Sequence, residues 1–348
     1  MTNHRVRLPA EWEPQDAIQL TWPHAGTDWK PILNEIIPVY EALVTLLTGA
    51  GKVVITAPPK NIQVLSQRLI ELGATEETLQ IFPVESNDTW VRDYGPVTVE
   101  TSRGLCLLDY QFNAWGNKHP CQLDNAFTSA LVELGAYPGA SIEKRTLVLE
   151  GGSIETDGNG TLLTTAQCLL NPNRNPSLGR TEIEQQLCED LGVKKINWLQ
   201  HGALQGDDTD SHIDTLARLC PNNVIAYQAC DDETDSHFRE LQLMASELQD
   251  MTSADGSGYH LIPLPWPSAK YDKTGQRLPA TYANFLVFNH LVIVPTYRDT
   301  QDGEALAQLA KAFPGYQIEG LDCLPVIQQH GSLHCITMQL PKGTLNAH

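Results

Sequence analysis

Four times along the chain, a β-rich pair around turn residues is followed by a helical pattern and one more short strand. The pairs are Val97–Glu100 with Leu105–Tyr110, Ser153–Thr156 with Thr161–Thr165, Ile213–Leu219 with Val224–Ala229, and Asn284–Phe288 with Leu291–Pro295. Turn residues sit between the members of each pair, as in Asp157-Gly158-Asn159-Gly160 and Pro221-Asn222-Asn223. Helical patterns follow at Asp124–Leu134, Thr181–Leu191, Asp235–Leu248 and Glu304–Ala312, and strands at Arg145–Leu149, Lys194–Leu199, His260–Leu264 and Gln317–Leu321. Thr181 with Glu184 reads as a capping box. A fifth unit needs both chain ends: Cys335–Leu340 beside Ala17–Trp22, then helix Glu35–Leu47 and strand Lys52–Thr56, with helix Asn61–Leu72 and strand Gln80–Val84 as additions.

A unit of strand, strand, helix, strand repeated in this way predicts an α/β fold arranged as a closed radial array. No linker interrupts it, so residues 1–348 are expected to form a single catalytic domain. Ala254–Tyr282, rich in Pro and Gly, reads as a long excursion over one face. In such an array, residues at the same place in successive units converge at the axis.

Polar motifs occupy that place. They are Asn87–Pro96 (NDTWVRDYGP), Leu149–Gly152 (LEGG), Gly206–Asp214 (GDDTDSHID) and Gly331–Thr337 (GSLHCIT). Asp93 and Glu150 are 57 residues apart, and Glu150 and His212 are 62 apart. Each motif alone is weak. Together they offer a thiol in Cys335, a base in His212, and carboxylates in Asp93, Glu150 and Asp214. Read as strand residues, His212 and Asp214 share a face, whereas His334 points away from Cys335 and, with His330, is structural. Three carboxylates around a neutral nucleophile suit a cation, and a planar guanidinium matches carboxylates bidentately.

The composition agrees. With 42 acidic against 23 basic residues the net charge is -19, which argues against nucleic acid or an anionic membrane as partner. The N-terminus has no signal pattern, and the most apolar stretch, Asn284–Tyr297, is broken by Asn289 and His290. Eight cysteines without a C-x-x-C pair fit reduced thiols in a cytoplasmic protein. The acidic run Asp207–Asp214 is similar to a calcium loop but lacks glycine at its sixth position, and zinc would want more His or Cys at close spacing. No metal and no cofactor are expected.

On these motifs the chain resembles the agmatine deiminases, of the peptidylarginine-deiminase-like branch of the guanidino-group-modifying superfamily. The resemblance extends to Pro9–Pro14, Trp22-Pro23-His24, Phe112–Gly116, Cys168–Pro176 and Tyr282–Phe285. It departs at Gln329–Leu333, before the His-Cys pair, and at Thr215. It implies a five-bladed α/β propeller (pentein) of ββαβ units. It implies Cys335 as nucleophile, His212 as general acid and base, Asp93 and Asp214 as carboxylates gripping the guanidinium, and Glu150 as a carboxylate that also orients the histidine. Trp90 would line the substrate pocket. Asp88 is a candidate substrate contact equally suited to capping the backbone, as is Asp210.

The implied reaction is hydrolytic deimination of agmatine to N-carbamoylputrescine and ammonia through a covalent amidino-cysteine. That would place the enzyme in putrescine and polyamine biosynthesis. Deimination of arginine or peptidyl-arginine, amidino transfer on the same fold, and a propeller that only binds guanidino compounds are the competing readings. A homo-oligomer is compatible with all of them. Arg174 is the one cation in the motif segments that could read the carboxylate of free arginine.

Overall fold

The computed structural model describes residues 6–346. Four three-stranded sheets follow the sequence repeat. Their strands are Val97–Thr101, Gly104–Gln111 and Ala140–Val148; Ile154–Thr156, Thr161–Thr165 and Lys195–Leu199; Ala217–Cys220, Val224–Gln228 and His260–Leu264; and Leu286–Phe288, Leu291–Thr296 and Gln317–Asp322. In each, the first two strands pair antiparallel and the third joins parallel after a helical crossover. The fifth sheet joins the chain ends. Met338–Pro341 pairs antiparallel with Gln15–Thr21, which pairs parallel with Lys52–Ala57 and, through it, Leu79–Pro83. The result is a mixed α/β fold.

The crossover helices cover the sheets with one apolar face each. Lys30–Thr48 is apolar and long enough, at 19 residues, to cross a bilayer by length and composition. It was not the stretch singled out from the sequence. Ile36, Val39, Tyr40, Leu43, Val44 and Leu47 are buried, while Asn34, Glu35, Pro38, Ala42 and Thr45 are exposed, the amphipathic pattern of a core helix. The helix expected at Thr181 starts one residue earlier, at Arg180, and its cap differs: Glu182 accepts from the Gly179 N–H. Thr181 lies inside the first turn, so the predicted capping box does not form. The helix expected over Asp124–Leu134 breaks into Gln122–Asn125 and Phe127–Glu133. The excursion contains a small ribbon, Lys270–Tyr271 with Arg277–Leu278.

A second departure matters more. The motifs are not strands. They fold as short helical turns, Val91–Tyr94, Gly151–Ser153, Ile213–Thr215 and His334–Ile336, each just before the first strand of its unit. These turns pack against one another. A turn rotates successive side chains by about 100–120° rather than 180°. The alternating-face argument therefore fails at His212, Asp214 and His334.

Candidate active site

The four turns bring Asp93, Glu150, His212, Asp214 and Cys335 into one buried cluster. Gly152 lies at its centre. A Cβ there would sit 2.6 Å from His212 Nδ1, 2.8 Å from Asp93 Oδ1 and 3.1 Å from Asp214 Oδ2, so only glycine lets the three groups approach. The Gly152 N–H donates to Asp93 Oδ1 (3.0 Å), and Trp115 Nε1 donates to Asp93 Oδ2 (2.9 Å). His212 Nδ1 is 3.5 Å from Asp93 Oδ1. Cys335 Sγ is 3.5 Å from Asn284 Oδ1 and 3.9 Å from Asp214 Oδ2.

Trp115 reaches Asp93 from an unusual backbone. Ala114, Trp115, Gly116 and Asn117 all have positive φ (51°, 55°, 93° and 67°), forming a left-handed turn. Each non-glycine residue there costs about 1–2 kcal/mol. Such strain persists where the surroundings over-determine it, and it collects at functional sites.

The thiol and the imidazole of the cluster are both uncharged. Burial pushes the Cys335 thiol well up, and the nearby Asp214 and Asp93 carboxylates push it further. Burial lowers His212 to about 3, so its imidazole is neutral at pH 7. Burial, with Asp214 and Glu150 beside it, holds the Asp93 carboxyl well above the usual carboxylate range. Burial would raise Asp214 too, but its surroundings, the hydrogen bond from His334 foremost, outweigh it and hold the carboxyl below its usual range. Among the described residues, Asp214 Oδ1 and both His212 ring nitrogens are buried without a hydrogen-bond partner. Buried polar atoms without partners are expensive, and a cationic ligand with several N–H donors would satisfy them.

A cavity of about 230 Å³ opens onto Cys335 and Asp93. Trp90 and Asp88, both expected from the sequence, line it, as do Trp115, Phe112, Asp28, Asp124, Asp208, His119 and His330. Trp90 packs on Trp29 with ring centroids 5.5 Å apart. Asp88 also accepts from the Thr89 N–H, so it caps the backbone and faces the cavity together. Burial pushes its carboxyl up to about 7. His330, read as structural, is a wall residue. Asp28, Asp124 and His119 carried no motif signal. Asn284 could have been found, because it opens the fourth unit as the other site residues open theirs.

Arg174 is not in the cavity. Its side chain is fully buried: Nε donates to both Glu150 oxygens (2.8 and 3.0 Å), Nη1 to Asp210 Oδ2 (2.7 Å) and Nη2 to the Thr209 carbonyl (2.8 Å). The carboxylate-reading role considered for it is therefore replaced by one of neutralising Glu150. Ligand atoms of Glu150, Cys168 and His212 do lie within 4.8 Å of one another. Arg174 already balances the Glu150 charge, and burial pushes the Cys168 thiol well up, so the set does not suit a dication. In the acidic run, Asp207 accepts from Thr209 and Ser211, while Asp208 and Asp210 face Lys118. Among the described residues no oxygen cage forms there.

Known proteins match along nearly the whole length. A Yersinia pestis protein provisionally named an agmatine deiminase is 33% identical, over 96% of this chain and 95% of its own. A Porphyromonas gingivalis crystal structure, provisionally described as an arginine deiminase, is 43% identical with a TM-score of 0.91, covering 98% of this chain and all of that one. An agmatine deiminase from C. jejuni, a cysteine-to-serine variant with substrate bound, is 39% identical with a TM-score of 0.90, covering 99% and 98%. The model of the Porphyromonas-type peptidyl-arginine deiminases matches residues 7–341. Fold, sequence match and the convergence of thiol, histidine and carboxylates agree, and the chain belongs to this guanidino-modifying deiminase family.

Proposed function

We propose that the protein is a hydrolytic agmatine deiminase, a single catalytic domain whose five sheets form a five-bladed propeller around the cluster. The observation that carries the substrate choice is the make-up of the cavity wall, which is rich in acids. Asp28, Asp88, Asp93, Asp124 and Asp208 line it, and among the described residues no Lys or Arg does. Agmatine brings a guanidinium at one end and an ammonium at the other. Free arginine adds a carboxylate that would find acids and no cation. Arg174 is committed to Glu150 and Asp210, and Lys118, outside the lining, to the Asp208 carbonyl and Asp210.

The chemistry follows from the cluster. A guanidinium entering beside Asp93 and Asp214 supplies the positive charge that the buried thiol lacks, so the Cys335 proton can pass to neutral His212. The thiolate attacks the guanidinium carbon. The protonated His212 gives its proton to the departing amino group, which leaves as ammonia. An N-alkylated amidino-cysteine remains. His212 then takes a proton from water, the oxygen attacks the same carbon, and the ureido product departs as the His212 proton returns to sulfur. The hydroxyl proton of the collapsing intermediate passes to solvent, where it converts the released ammonia to ammonium. The ionised Asp214 faces the guanidinium charge, Asp93 and Glu150 complete the acidic wall around it, and neither metal nor cofactor has a step. Eight free thiols suit a cytoplasmic setting, and the product would feed putrescine synthesis.

Ureido-product formation is to be measured with agmatine, arginine and a peptidyl-arginine side by side. Agmatine is expected to exceed arginine at least about tenfold in kcat/KM, which needs about 1.4 kcal/mol of differential transition-state binding. Comparable rates with free arginine would overturn the assignment.

A further inference from the structure

His334 lies between the candidate site and a charged network on its far side. Its Nδ1 is 2.8 Å from Asp214 Oδ2, and its Nε2 is 2.8 Å from Glu11 Oε2. Glu11 is itself fixed: Arg218 Nη2 donates to Oε2 (2.6 Å) and the Val287 N–H to Oε1 (2.8 Å). Arg218 is anchored by Glu155 (2.7 Å) and the Phe285 carbonyl (2.6 Å). The His334 N–H donates to Asn284 Oδ1 (2.8 Å), the same oxygen that lies 3.5 Å from Cys335 Sγ. All these side chains are buried. Of the two Asp214 oxygens, Oδ2 is taken by His334 and Oδ1 has no partner among the described residues.

We propose that His334 is a positioning residue for Asp214: its Nδ1–H ties down Oδ2 and so presents Oδ1 to the guanidinium. A free carboxylate turns about its terminal bond. Held from behind, it offers one oxygen in one direction, and small misplacements of such groups cost rate steeply. His334 acts through Asp214 and does not touch substrate. The Glu11–Arg218–Glu155 chain, reaching from the N-terminal segment across three units, fixes the imidazole. The inference rests on the deiminase reading and extends it to a residue that sequence periodicity had turned away from the site.

Two amides separate the two sides of the ring. The Asn amide nitrogen falls near the Nδ1 position and the Gln amide nitrogen near Nε2. His334→Asn should therefore keep kcat/KM for agmatine within about tenfold of wild type, while His334→Gln and His334→Ala should lose about a hundredfold or more. Rates are compared per folded protein, with melting temperatures recorded for each variant. A merely structural role, holding Glu11, would make Gln the better replacement, and that ranking would overturn the proposal. So would a wild-type rate in His334→Ala. If no variant folds, ¹⁵N-histidine NMR of the wild type decides. It should show a proton on His334 Nδ1, and a single proton on Nε2 would overturn the proposal. That spectrum needs no substrate. Failure of wild-type protein to turn over agmatine would strike the substrate assignment alone, with the spectrum still deciding the role of His334.

Discussion

Cys335→Ser should lose essentially all turnover of agmatine while keeping the wild-type fold. The two side chains are nearly isosteric, and the cysteine is buried with only weak contacts, 3.5 Å to Asn284 and 3.9 Å to Asp214. Stability should change by about 1 kcal/mol or less, as for substitutions that conserve volume. Reactivity should not survive. A serine hydroxyl is far harder to deprotonate than a thiol, and the site has already raised the thiol by burial and by two neighbouring carboxylates. The substrate cation would have to offset a much larger deficit for serine. Substantial turnover in the serine variant, measured as ammonia release, would remove Cys335 from the mechanism.

Gly152→Ala is expected to be nearly as damaging, for a steric reason. The new methyl would lie within 3.1 Å of His212, Asp93 and Asp214 together. None of these is a flexible surface group, and all three belong to the proposed machinery. The cluster must spread, and a displacement of about 1 Å can cost about a hundredfold in rate. The stability loss should be about 1–3 kcal/mol, the usual cost of overpacking. Gly303→Ala is the control: a Cβ there meets nothing within 4 Å and its φ is ordinary. Steady-state kinetics and thermal melts of the pair check the account. Wild-type kcat/KM in Gly152→Ala would mean that the three side chains are not held as described.

Much of the fold was legible because hairpin turns and helix periodicity are local signals. His260–Leu264 was read with its observed bounds, and the pairing of the two chain ends followed from a missing fifth unit. The motif positions were legible too, since repetition placed them at equivalent points. What failed was local geometry. His334 looked outward because a β-rich composition was read as strand, whereas Leu333 and the residues after it turn helically before Met338 begins the strand. Arg174 looked like a free cation because nothing local shows that it reaches Glu150, 24 residues away, and Asp210, 36 away. The acids lining the cavity from Asp28 and Asp124 come from unrelated segments and have no shared pattern to read.

The central claim is covalent deimination at Cys335, and the mass of the protein caught during turnover tests it most directly. Wild-type protein is mixed with agmatine, quenched in acid and mapped by peptide mass spectrometry. The account predicts one adduct on the Cys335 peptide, equal to agmatine less one ammonia, because hydrolysis keeps the alkyl chain on the carbon until water attacks. A bare amidino group would instead mean that the amine had left, as in amidino transfer. An adduct on Cys168 or Cys323, or turnover with no adduct on Cys335 under any quench time, would contradict the account.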